Sequence, residues 1–190
     1  MFNRSSSSRR SGFSLLEIIV AVSVLAILAG VVTMRSGALI EKGRAQNVIQ
    51  TIDALRNACA QYQTDTGQLA FEYAGYPVAS RRLSGTQTLA GWAGPYIDAP
   101  FTTTGNPWGG ITHLYGTVTA NGWISGFDVD ADGTDDVTGP GNMLYLTLVT
   151  ASAAQRIDQV IDKGMGADWR TAGRVRYDAA AQRLLVLVHY

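Results

Sequence analysis

The densest chemistry in the chain lies in nine residues, Asp128-Val129-Asp130-Ala131-Asp132-Gly133-Thr134-Asp135-Asp136. Carboxylates at alternate positions, followed by a glycine and two more carboxylates, repel one another unless something neutralises them. A tight loop can turn several of their oxygens onto one hard cation. The pattern predicts calcium, with Asp128, Asp130, Asp132 and Asp136 as ligands and Asp135 in reserve. It opens like an EF-hand loop, but the twelfth position is Gly139 rather than a bidentate glutamate and no helix is expected before Asp128, so a calcium loop of another type is expected. The plain alternative is a solvated acidic turn.

Little else points to reactivity. His113 and His189 stand alone in strand-like segments, without a cysteine or histidine at metal-ligand spacing, so a zinc site is not expected. There is no nucleophile elbow, phosphate loop or dinucleotide fingerprint. The aspartate pairs 128/130 and 158/162 have the residue types of an acid and a base but no matched environment in the sequence, so no enzyme is expected. Cys59 is the single cysteine; it cannot close an internal disulfide and reads as a small buried hydrophobe.

Glu17 is the other anomaly. It is the one charge in the run FSLLEIIVAVSVLAILAGVVTM, residues 13–34, which at about 1.5 Å per residue is long enough to span a bilayer of roughly 30 Å. A carboxylate inside such a span costs on the order of 3 kcal/mol and needs a partner. The twelve residues before it, MFNRSSSSRRSG, are basic and contain no apolar core, which argues against an ordinary secretory signal. Arg4, Arg9 and Arg10 precede the run and no cation follows until Arg35, so the positive-inside rule places the N-terminus in the cytoplasm. Without those three arginines, twelve basic side chains face fifteen acidic ones, a balance of about −3 that offers nucleic acid no basic footprint.

Gly12-Phe13-Ser14-Leu15-Leu16-Glu17 resembles the type IV filament family, whose prepilins carry a short basic leader ending in glycine, then phenylalanine, then an apolar helix with glutamate as the fifth mature residue. The resemblance implies that a prepilin peptidase cuts between Gly12 and Phe13 and methylates the new amine. That amine can then pair with Glu17 of its own or a neighbouring subunit and neutralise both charges in a filament core. The rival reading is a simple membrane anchor with a tolerated glutamate near the interface.

These residues need a long helix and a head to position them. Ala45, Val48, Ile49, Ile52, Leu55, Cys59 and Tyr62 advance by threes and fours, so the helix is expected to leave the membrane and continue as an amphipathic stretch, 35–66, ending near Asp65-Thr66-Gly67. That is about 80 Å of helix over 13–66, longer than a small head needs for its own core. Residues 67–110 are rich in glycine, proline and aromatics and read as packed loops. Within them, Tyr62 to Gly67, Gly91-Trp92-Ala93-Gly94-Pro95-Tyr96-Ile97 and Asn106-Pro107-Trp108-Gly109 are similar to landmarks of the major pseudopilins of type II secretion, which commonly bind calcium in C-terminal loops. Segments 112–119 and 123–128 flank Ala120-Asn121-Gly122 and predict a hairpin; 143–149 predicts a strand, 152–162 a short helix stopped by Gly164, and 174–177 with 184–188 a terminal hairpin.

The expected class is therefore α+β, pilin-like, with a leader over 1–12, a helix over 13–66 and a head over 67–190. The long tail is similar to type IV pilins, so both subfamilies stay open. Three functions follow: a pseudopilin polymerising into a periplasmic pseudopilus, a pilin of a type IV pilus for adhesion, motility or DNA uptake, or a membrane-anchored calcium-dependent binding module that never polymerises. The family reading implies copies of itself and other pilin-like subunits, the prepilin peptidase, an inner-membrane assembly platform and the lipid bilayer as partners. It implies a single-pass inner-membrane protein with a periplasmic head, later part of a periplasmic or extracellular filament.

Overall fold

A computed structural model describes residues 12–120, 122–166 and 168–190, without the side chains of 32–36. The leader residues 1–11 and the turn residue Asn121 lie outside the described residues. The chain forms two compact units, Met1–Ile40 and Glu41–Tyr190. Helix α1, Leu15–Thr66, contributes to both. It ends where the sequence indicates: Gly67 takes a left-handed φ of 69° and its N–H returns to the Gln63 carbonyl, a conformation that favours glycine.

In the first unit every described side chain from Phe13 to Val31 is exposed, including Phe13 at 79%. An apolar surface of this kind needs lipid or other protein to cover it. Among the described residues no helix is long and apolar enough to cross a membrane. The span expected over 13–34 includes side chains 32–34, which fall outside the description.

In the second unit α1 buries the predicted stripe, with Ala45, Val48, Ile49, Ile52, Leu55, Cys59 and Tyr62 all at 7% exposure or less. The stripe packs on a five-stranded antiparallel sheet of order β1-β2-β3-β5-β4, made from β1 Glu72–Tyr73, β2 Thr112–Thr117, β3 Pro140–Leu146, β4 Val175–Asp178 and β5 Arg183–His189. Helix α2, Ala151–Ile161, adds Ala153, Ala154 and Ile157 to the same core. Thr150 caps it by accepting the Ala153 N–H at 3.3 Å. The fold is α+β, as expected.

Strand β5 is apolar at every position from Leu184 to Val188 because both of its faces are covered. Leu184, Val186 and Val188 meet the helices, while Leu185 and Leu187 meet a second small core formed with Met143, Val118, Phe127 and Val137. This second core corrects the expected 112–128 hairpin. Segment 123–128 forms no strand; β2 pairs with β1 and β3, and only Phe127 makes a bridge, to Val137. The acidic segment instead folds over the sheet, because Phe127 and Val137 at its two ends are worth more buried on Met143 and Leu187 than exposed in a projecting hairpin.

Candidate functional site

At the start of α1, Ser14 and Glu17 bond reciprocally. The Glu17 N–H donates to Ser14 Oγ at 3.2 Å and the Ser14 N–H donates to Glu17 Oε2 at 3.4 Å. This is a capping box: serine followed three residues later by glutamate satisfies two N–H groups that a helix start leaves without partners. Glu17 thus has a local structural role that the charge argument alone did not find, although the Ser-x-x-Glu spacing was present in the sequence. Gly12 and Phe13 sit just ahead of the cap, with open space around the Gly12 Cα, so the junction is sterically accessible. The carboxylate sits in the first turn, near the positive end of the helix dipole, where an anion is favoured.

The acidic loop is shaped by its own carboxylates. Asp128, buried at 6% exposure, accepts the Asp132 N–H at 3.1 Å and the Gly133 N–H at 3.0 Å. Asp130 accepts the Asp132 N–H at 3.2 Å, and Asp136 accepts the Val129 N–H at 2.7 Å. One oxygen from each of Asp128, Asp130 and Asp136 lies within 4.8 Å of the others. Asp132 is not in that trio; its carboxylate accepts the Thr134 N–H at 2.7 Å. Asp135 is tied down elsewhere, paired with Arg176 at 2.7 Å and hydrogen-bonded by the Ser125 hydroxyl. Three of the four expected ligands therefore converge, and the reserve is used as an anchor. Gly173 donates to the Asp128 carbonyl at 2.7 Å, which joins the loop to the segment entering β4.

Asp162 receives the Arg174 and Val175 N–H groups at 2.7 and 2.9 Å. Asp158, fully buried one helical turn earlier, has neither carboxylate oxygen hydrogen-bonded. Burial, with the negative Asp162 nearby, pushes the Asp158 carboxyl up to about 6. Through its two backbone bonds Asp162 ties the end of α2 to the start of β4. The Cys59 thiol is buried in the core and burial pushes it up to about 12, which leaves it protonated and unreactive.

The aromatic landmarks fasten the loops of 67–110 to α1. Tyr96 donates its hydroxyl to Asp65 Oδ2 at 2.9 Å and sets its ring edge-on to Tyr62 at 5.5 Å. Trp108 Nε1 donates to Glu41 Oε2 at 3.1 Å. Gly91, at a φ of 81°, lies so close to the helix end that a Cβ would come within 2.0 Å of the Asp65 carbonyl. Asn106 accepts the Trp108 and Gly110 N–H groups at 2.9 Å and donates to the Thr147 carbonyl at 2.7 Å. Glu41 also accepts from Thr150 Oγ1 at 2.9 Å and Arg44 at 3.1 Å. Burial would push its carboxyl up, but the bonds from Trp108, Thr150 and Arg44 outweigh burial and hold it below the usual range.

Residues 7–33 match the model of the prokaryotic N-terminal methylation motif. No curated protein matches the chain, and neither does any solved structure. The matched stretch covers the expected cleavage junction, the capping box and the apolar half-helix. The chain thus carries a type IV prepilin-like motif, which implies processing by a prepilin peptidase, a membrane-anchored N-terminal segment and assembly into pilin-like filaments.

Proposed function

We propose that this chain is a structural, non-catalytic subunit of a type IV-like filament, and specifically a pseudopilin that polymerises into a periplasmic pseudopilus of type II secretion. The methylation motif over 7–33 carries the reading, because it places a single carboxylate, Glu17, four residues after the predicted new N-terminus in an otherwise apolar helix. Before assembly the segment from Phe13 sits in the inner membrane with the head in the periplasm. In the filament the methylated Phe13 amine and Glu17 neutralise each other between neighbouring subunits. The landmarks around Trp92, Tyr96 and Trp108 support the pseudopilin reading. A pilin of a type IV pilus is the second reading, favoured by the tail in which α2 is followed by the β4–β5 hairpin. Adjacent genes separate the two: a secretion ATPase with an outer-membrane secretin, or a retraction ATPase. The shared reading is tested by Glu17→Ala, which should abolish filaments while the protein still accumulates in the membrane. Normal filament yield would contradict it and favour a non-polymerising anchor.

We further infer that the acidic loop takes calcium. The donor set fits a hard cation: three carboxylates converge, and among the described residues the ion pair of this loop involves Asp135, not the trio. Asp128, Asp130 and Asp136 would hold the ion, and Asp132 would brace the turn beside it. Bound calcium would supply the positive charge that relieves the repulsion and would lock the segment covering β3 and β5.

A further inference from the structure

Two carboxylates sit where a helix least favours them. Asp158 lies in the last turn of α2 and Asp162 is its C-cap, at the negative end of the helix dipole, and that turn carries no basic residue. The two are one helical turn apart on the buried side, at 0% and 7% exposure. Asp162 has work to do: its Oδ2 holds the Arg174 and Val175 N–H groups. Gly173, at a φ of 80°, lets the chain come so close that a Cβ there would collide with the same carboxylate. Asp158 holds nothing, and both of its oxygens are shut away from water.

Among the described residues no ion pair reaches either aspartate. Arg174 attracts Asp162, but its guanidinium donates to the Val188 carbonyl at 3.3 Å and lies over the Tyr190 ring at 5.8 Å. Arg56, on α1, faces the same carbonyl and pairs with Asp53. The Tyr177 hydroxyl of β4 goes to the Val149 carbonyl, Arg170 pairs with Asp168, and Lys163 is exposed past the helix end. The charge that acts on Asp158 is the negative one of Asp162.

We propose that Asp158 and Asp162 form a proton-operated latch between α2 and β4, closed most firmly when Asp158 carries a proton and loosened when it is ionised. An ionised Asp158 stays buried without a partner and repels the carboxylate that fastens Arg174 and Val175; opening the join returns it to water. A proton removes both penalties while Asp162 keeps its bonds. Burial and the nearby Asp162 hold the Asp158 carboxyl at about 6 in the closed state, against an ordinary value of 3.8. Closure is therefore favoured fully below about pH 4, and the advantage fades as pH rises through about 6. The same opening reaches the acidic loop, because the Gly173 N–H donates to the Asp128 carbonyl at 2.7 Å.

Residue-resolved hydrogen exchange on the full chain, in detergent with a calcium chelator present, tests the latch. The amides of Gly173, Arg174 and Val175 are followed between pH 5 and pH 7.5, each rate divided by its intrinsic rate at that pH. Their opening constant should rise about tenfold over this range, the change that carboxyl values of 3.8 in the open state and about 6 in the closed state give. At pH 7.5 they should exchange at least about tenfold faster than the amides of Leu144 and Tyr145 in β3, the mark of a local opening. Asp158→Asn, of the same shape and without the charge, should keep the three amides slow and level across the range. Opening that does not change with pH, an equal rise in Asp158→Asn, or exchange of the three amides only at the rate of the β3 amides would overturn the proposal.

Discussion

The backbone and side chain of Glu17 close the capping box with Ser14, and in the proposed function its charge also meets the amine of Phe13; one pair of substitutions separates the two roles. Glutamine keeps the acceptor oxygen and removes the charge. Glu17→Gln should therefore leave helix content unchanged by circular dichroism yet block filament assembly, whereas Glu17→Ala should also lose about 1 kcal/mol of capping. Asp158 is the opposite case, a carboxylate with no bond to offset its burial. Its carboxyl is raised in the folded state, so the unfolded chain releases the proton first and stability falls as pH rises from about 4 to about 6. Asp158→Asn should remove that fall, stabilising the protein by on the order of 2 kcal/mol at pH 7.5 and hardly at all at pH 4. Thermal melts of the two proteins at both pH values check the sign, and an equal shift at both would contradict it. Glu41 runs the other way: its carboxyl is held low, so its contribution is present at neutral pH and lost as pH falls through the carboxylate range. Glu41→Ala should cost about 2 kcal/mol at pH 7, because it releases Trp108 and Thr150 together.

At the scale of elements, the sequence was informative wherever a period or a stop signal acted locally. The stripe from Ala45 to Tyr62, the stop at Gly67, helix α2 and the β4–β5 hairpin all follow from such signals. Segment 123–128 departs from the expected hairpin because Phe127 gains more by burial against the sheet face than by pairing with β2. Strand β1 is not legible in the sequence because two residues carry no period; its pairing with β2 makes it a strand, and the buried Glu72 carboxylate fastens the following loop by accepting the Leu83 N–H at 3.0 Å and the Ser84 hydroxyl. Of the acidic loop, the alternate spacing disclosed the cluster, but which aspartates converge depends on backbone N–H groups that claim Asp132 and on Arg176, which claims Asp135. If calcium occupies the trio, millimolar calcium should raise the melting temperature by several degrees, and Asp128→Asn with Asp136→Asn should abolish the rise. A wild-type melting temperature unmoved by calcium would refute the site.

For the whole molecule, the exposed apolar surface of α1 and the self-contained head explain each other. The unit Glu41–Tyr190 has its own core on both faces of the sheet, so its stability does not require the apolar half of the helix. In the proposed function the exposed residues 13–31 meet lipid first and sister helices afterwards, and Glu17 with the amine of Phe13 governs that change of environment. That change of environment depends on the new amine being made at Phe13. Intact-mass and N-terminal peptide spectrometry of the chain co-produced with a prepilin peptidase reads this directly. Loss of residues 1–12 and one added methyl group on Phe13 are expected; an uncut chain, or a mature chain beginning anywhere else, would rule out the proposed processing.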